Sequence, residues 1–134
     1  MIAVTGGCAC GAVSYRAEVA PVFSIQCHCR QCQRITGTGH ASQFTVPASA
    51  VTIAGELREY PLVADSGNRV VSAFCPTCGS PVLKRSSGYT ELVFFHAATL
   101  ADVAAFKADK AVWTETRQPW DYLDPMLDAS RSPA

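Results

Sequence analysis

Apolar and polar residues alternate along much of the chain in short runs. Val13, Tyr15, Ala17 and Val19 interleave with Ser14, Arg16 and Glu18, the period-two pattern of a strand with one face in a core. Pro21 ends that run. Val22 to Gln26 predicts a second short strand, and His40 to Val46 a third that stops at Pro47. Val51-Thr52-Ile53 and Leu57 to Tyr60 flank Gly55-Glu56 in a hairpin-like arrangement. After the turn cluster Asp65-Ser66-Gly67-Asn68, Arg69 to Phe74 and Pro81 to Lys84 predict two more strands. Glu91 to Ala97 carries Leu92, Val93, Phe94 and Phe95 in succession, which predicts a strand buried on both faces. Ala111-Val112-Trp113 reads as the last strand. Helical signals are weak: about one turn from Gln31 to Ile35 before Thr36-Gly37-Thr38-Gly39, and one short helix from Ala101 to Phe106. From Pro119 onward a tail bearing Trp120, Tyr122 and Leu123 is expected to fold back over the body, with Ser130 to Ala134 frayed. The pattern is all-β.

Seven cysteines punctuate these strands. Cys27, Cys29 and Cys32 fall within six residues, and the other four form two pairs, Cys8-x-Cys10 and Cys75-x-x-Cys78. Converging thiols call for disulfides or a soft metal, and Zn²⁺ takes thiolates at tetrahedral angles. An odd number of cysteines argues against a complete disulfide framework. Four thiolates fill one zinc. Three leave a second zinc with an open position, which separates a catalytic zinc from a structural one. Gly79, directly after Cys78, permits the positive φ that such a knuckle needs.

The remaining totals narrow the function classes. At 134 residues the chain is long enough for one domain with a real core, without repeats or a linker. No apolar run approaches the roughly 18 residues of a membrane span. The N-terminus lacks the basic start and apolar stretch of a signal peptide, so a reducing cytoplasm that keeps the thiols free for metal is expected. Eleven Lys and Arg are scattered among eleven Asp and Glu. That leaves no basic cluster for nucleic acid.

In this order and spacing, four segments resemble the glutathione-dependent formaldehyde-activating enzyme family. They are Gly7-Cys8-Ala9-Cys10-Gly11-Ala12-Val13, Cys27-His28-Cys29-Arg30-Gln31-Cys32, Phe74-Cys75-Pro76-Thr77-Cys78-Gly79 and Trp113-Thr114-Glu115-Thr116-Arg117-Gln118-Pro119-Trp120. Together they run from about Gly7 to Trp120, with a tail from 121 to 134 beyond them. The resemblance implies several coiled antiparallel β-sheets organised by zinc knuckles. It assigns a structural zinc to Cys8, Cys10, Cys75 and Cys78, and a catalytic zinc to Cys27, Cys29 and Cys32. It also implies a carbon–sulfur lyase-type activity joining glutathione and formaldehyde into S-hydroxymethylglutathione, or a related thiol–carbonyl reaction. Thr116 stands where the family usually has Ser.

Several roles stay open on the residues alone. The three-cysteine zinc is open, or closed by His40 or His96, or absent. His28 lies between two ligands and should point away from their metal. Arg30 is a candidate to hold a substrate carboxylate and His28 to shuttle the hydroxymethyl proton, against the plainer reading that both face solvent. His96 reads as a satisfied core histidine, and Trp113 and Trp120 as packing rather than a substrate wall. The competing classes are a non-enzymatic zinc-stabilised interaction module and a redox protein using Cys75-x-x-Cys78. The latter lacks the βαβ context of thioredoxin-like motifs.

Overall fold

The computed structural model describes residues 3–129, so the fraying expected of Ser130 to Ala134 lies outside the described residues. Its strands are β1 (Val4–Gly7), β2 (Ser14–Ala17), β3 (Ser24–Cys27), β4 (Ala41–Pro47), β5 (Val51–Ala54), β6 (Arg58–Val63), β7 (Arg69–Phe74), β8 (Pro81–Ser86), β9 (Leu92–His96), β10 (Lys110–Val112) and β11 (Asp128–Ala129). One helix, α1 (Arg30–Thr36), follows β3. The protein is mostly β, as the alternation predicts.

The strands form two sheets. A small antiparallel sheet has the order β1-β2-β5, and a large one runs β11-β10-β3-β4-β9-β8-β7-β6. Val13, just before β2, and Tyr15 and Ala17 on the small sheet pack against Phe44, Val46, Val82, Leu83, Val93 and Phe95 on the large one. Tyr15 stacks on Phe95 with ring centroids 4.0 Å apart. A second apolar cluster, with Ile25, Ala41, Phe94, Val112 and the three close-set cysteines, covers the other face. Phe94 and Phe95 thus serve opposite faces, as alternate strand residues must. This is why β9 is apolar without interruption.

Four details depart from the sequence expectation. The segments around Gly55 are not a hairpin: β5 pairs with β2 in the small sheet, while β6 pairs with β7 in the large one. Gly55 is the crossing point. Its φ is +97°, and a Cβ there would lie 2.1 Å from the Ala12 carbonyl oxygen, so the bend needs glycine. The 101–106 segment forms a 3-10 turn at Val103–Ala105, after another at Ala97–Thr99, instead of one helix. The strand expected at Ala111-Val112-Trp113 is Lys110–Val112. It is not the last, since β11 follows, and it lies parallel to both β3 and β11, so the large sheet is mixed at that end. Finally, Trp120 and Tyr122 are 68% and 75% exposed. Polar bonds fasten the tail instead, as described below.

Pro61 sits in β6, the edge strand, where its missing N–H costs no ladder bond. No helix among the described residues is long and apolar enough to cross a membrane.

Candidate metal centres

Cys8 and Cys10 leave the end of β1, while Cys75 and Cys78 follow β7. Gly11 and Gly79, each directly after a pair, take φ of +82° and +77°, which curls both turns toward one point. The Sγ atoms of Cys8 and Cys10 lie 3.7 Å apart, and those of Cys10 and Cys75 lie 3.8 Å apart. Four sulfurs about 2.3 Å from a zinc would be separated by roughly 3.8 Å at tetrahedral corners. The four-sulfur set therefore fits the ion. Donors already face the sulfurs: Val13 N–H to Cys8 Sγ at 3.2 Å, Thr77 N–H to Cys75 Sγ at 3.4 Å, and the Ser80 hydroxyl 3.1 Å from Cys78 Sγ. The Ser80 hydroxyl and backbone draw the Cys78 thiol down to about 5. Such donors favour thiolate over thiol. The cluster joins residues distant in sequence and ties the small sheet to the large one.

Cys27 ends β3, Cys29 is the N-cap of α1, and Cys32 lies in its first turn. The Cys29 sulfur accepts the Cys32 N–H at 3.4 Å. One turn of helix thus brings the third sulfur back to the first two, and all three lie within 4.8 Å of one another. All are buried. Hydrogen bonds from the Cys27 and Cys32 sulfurs hold the Cys29 thiol far below its ordinary range, while its two neighbours and burial push Cys27 far up. Without a cation the trio supports one thiolate against two thiols. Three thiolates in so small a volume demand a positive ion, so the donor chemistry fits zinc here too. No histidine of the described residues belongs to this cluster.

The three sulfurs form the floor of a cleft of about 90 Å³. Phe23, Ile25, Tyr89, Phe94, Val112 and Trp113 wall it, and Asp65, Ser66 and Asn68 reach it from the turn between β6 and β7. Lys84 on β8 also lines it, with Nζ 4.6 Å from the centre of the Phe94 ring. Its charge adds a smaller favourable effect on the Cys29 thiolate, behind the hydrogen bonds from Cys27 and Cys32. The sequence reading missed Lys84. Its one signal is a cation following the apolar pair Val82-Leu83 in a strand. Trp113 has φ +55°, the left-handed region, and is the one non-glycine residue there among those described. Such a conformation is strained for a bulky residue, and it aims the indole at the cleft.

The family model for "glutathione-dependent formaldehyde-activating enzyme" matches residues 3–116. The chain belongs to this family. No curated protein matches it. Among solved structures, a Rhodobacter sphaeroides protein is similar in fold, with a TM-score of 0.60 at 24% identity over 73% of this chain and 88% of that one. This member of the family is a mostly-β chain whose cysteine clusters could hold zinc.

The remaining candidates fall elsewhere. Neither His28 nor Arg30 lines the cleft. His28 is fully buried, with its ring beside His40, 5.0 Å between centroids. Arg30 is exposed and donates to Gln33 Oε1. The reason lies in the backbone: β3 ends at Cys27, so the next residue projects to the opposite side from the sulfurs. His96 is buried but not satisfied, since its Nε2 lacks a hydrogen-bond partner among the described residues. Burial, then the Lys84 charge, lowers its pKa to about 4. Trp113 is a cleft wall, whereas Trp120 is exposed.

The segment leading into the tail closes over this region through polar groups, and Asp121 of the tail itself lies 2.7 Å from His40 Nδ1. Thr116 Oγ1 donates to the His28 carbonyl at 3.0 Å, Gln33 Nε2 donates to the Thr116 carbonyl at 3.0 Å, and Gln118 Nε2 donates to Gln33 Oε1 at 3.0 Å. Thr116, the family's usual Ser, keeps the hydroxyl that this contact needs.

Proposed function

We propose that this protein catalyses the addition of a small-molecule thiol, glutathione in the first instance, to formaldehyde or a related small aldehyde, and the reverse cleavage. The observation that carries this reading is the arrangement of three buried thiols at the floor of an apolar cleft that contains one lysine. Cys27, Cys29 and Cys32 would hold a zinc ion, with Cys8, Cys10, Cys75 and Cys78 holding a structural one. When bound, the three-thiolate ion would supply an open position that lowers the pKa of a fourth thiol while leaving it nucleophilic.

The chain's own residues account for the rest. The reaction breaks the S–H bond and forms one C–S bond. The thiol releases its proton, the sulfur lone pair adds to the carbonyl carbon, the C=O π pair moves to oxygen, and a proton converts the alkoxide to a hydroxyl, the thiol's released proton restoring the donor. Lys84 is the cleft's one cation among the described residues and is the group suited to that oxygen, first as a charge and then as proton donor. Phe94, Tyr89 and Trp113 exclude water that would hydrate the aldehyde. The narrow cleft suits a thiol and a one- or few-carbon carbonyl, so the peptide part of glutathione would lie at the mouth, near Asp65, Ser66 and Asn68. His28 and Arg30 act behind the cysteine loop, orienting it. Working thiols imply a reducing compartment, and the cytoplasm fits.

The test uses cobalt-loaded protein. Glutathione should strengthen the sulfur-to-metal charge-transfer band as a fourth thiolate joins, and S-methylglutathione should not. Formaldehyde should then give the hydroxymethyl adduct faster than the spontaneous reaction run in parallel. A spectrum indifferent to glutathione and to every small thiol tried would leave the non-enzymatic zinc-stabilised interaction module as the better reading.

A further inference from the structure

On the side of the cysteine loop away from the cleft, three further donors converge. His28 follows β3, His40 precedes β4, and Asp121 comes from the C-terminal segment. One ligand atom from each lies within 4.8 Å of the others. Asp121 Oδ2 is 2.7 Å from His40 Nδ1 and 3.4 Å from His28 Nδ1. Ligand atoms about 2.1 Å from a common ion lie roughly 3.0 to 3.4 Å apart in octahedral or tetrahedral arrangement. Both distances to Asp121 are within a few tenths of an ångström of that spacing.

A second observation is independent of the clustering. His28 is completely buried, yet neither ring nitrogen has a hydrogen-bond partner among the described residues, the 3.4 Å approach to Asp121 being misaligned for one. A buried polar group without a partner is costly. An ion between the three side chains would satisfy the nitrogen that faces Asp121. The donor set is one carboxyl group and two imidazoles. Arg117, whose charge is felt at His28, keeps its guanidinium on the Thr114 carbonyl at 3.0 Å. The site is also shaped. A Cβ at Gly39 would fall 2.2 Å from the Asp121 side chain, so Asp121 takes its place only because residue 39 is glycine.

We propose that His28, His40 and Asp121 form a further metal site for a divalent ion of the zinc type, bound through nitrogen and oxygen with at least one position left to water. Two imidazoles and a carboxylate suit Zn²⁺ or a neighbouring first-row ion rather than Mg²⁺ or Ca²⁺. The ion would clamp the C-terminal segment against the β3–α1 and α1–β4 junctions.

The experiment compares bound metal in the wild-type chain, Asp121→Asn, His40→Gln and Gly39→Ala, each stripped and reloaded with cobalt and then desalted. A difference between proteins is read, so the result does not depend on how many ions the cysteines hold. Wild type should retain one equivalent more than each variant. The wild-type-minus-variant spectrum should show weak d–d absorption with no sulfur-to-cobalt charge-transfer band. Gly39→Ala removes no ligand and should still lose that equivalent, because it displaces Asp121. Should Asp121→Asn fail to fold, the other two variants decide, with circular dichroism confirming their fold. Equal metal in all four proteins, or a difference spectrum rich in charge transfer, would overturn the site.

Discussion

Replacing Cys75 by Ser tests the four-cysteine centre most directly. Cys75 is fully buried and its sulfur is 3.8 Å from that of Cys10, 65 residues away in sequence. An unfolded chain offers zinc one pair at a time, so the four-thiolate set exists only in the folded state. Structural zinc binding is worth about 10–16 kcal/mol relative to a 1 M ion. At micromolar free zinc the concentration term removes about 8 kcal/mol, which leaves about 2–8 kcal/mol of stabilisation. A domain is stable by only about 5–15 kcal/mol, so losing this centre should unfold much of the population. The assay is urea denaturation followed by circular dichroism at several buffered zinc concentrations. Each ion held only by the native chain should add about 1.4 kcal/mol per tenfold increase in free zinc. Cys75→Ser should lose that ion's share of the slope and denature at lower urea. Cys29→Ser is the control. Cys27, Cys29 and Cys32 lie within six residues, so the unfolded chain offers them to zinc together and their ion adds little to folding. Serine is itself a good N-cap for α1, so Cys29→Ser should cost about 1 kcal/mol or less in stability while abolishing adduct formation. A wild-type zinc dependence in Cys75→Ser, or an equal collapse in Cys29→Ser, would refute the division into a structural and a working centre.

Other outcomes follow from single features. Lys84→Met keeps the apolar stem over Phe94 and removes the charge; it should slow adduct formation roughly 100-fold with metal content unchanged, as a stopped-flow rate comparison would reveal. His96 has its folded pKa lowered from 6.5 to about 4, so only the unfolded state takes up a proton between those values. Stability should therefore fall as pH drops from 6.5 towards 4, by about 3 kcal/mol, and His96→Gln should flatten that part of the denaturation profile relative to wild type. With Trp120→Phe as background, Trp113 is the remaining tryptophan, and its fluorescence should respond to glutathione; an unchanged emission spectrum would argue against a thiol in the cleft. Gly55→Ala meets both a positive φ and the Ala12 carbonyl; it should destabilise by about 2 kcal/mol or more, measured as a lower melting temperature.

The parts legible in the sequence are those written in local pattern. Alternation located β2, and the run Leu92 to Phe95 announced a strand between two cores. The cysteine spacings alone divided four sulfurs from three, and the structure brings both sets together. What the sequence hid was long-range. Gly55 looks like a hairpin turn because nothing near it tells which sheet the next strand will join. The parallel pairing of β10 with β3 spans most of the chain and leaves no local trace. Lys84 reaches the cleft only because β8 lies beside β9, in register with Phe94. Asp121 was lost among the tail's aromatics, yet in the structure the acid is tucked in and the rings beside it are exposed.

The late arrival of β10 has a consequence for the chain as it is made. Ser24 bonds to Asp109, 85 residues further on, and the cleft wall at Val112 and Trp113 comes later still. At a synthesis rate of about 5–20 residues per second, the three thiols beside β3 wait roughly 4–17 s for that wall. Throughout that interval the thiols face the surrounding solution, where an oxidant, a stray electrophile or a metal ion can reach them first. Capture of zinc by the nascent loop would protect it, so the order of synthesis makes early metal supply a condition for an undamaged site.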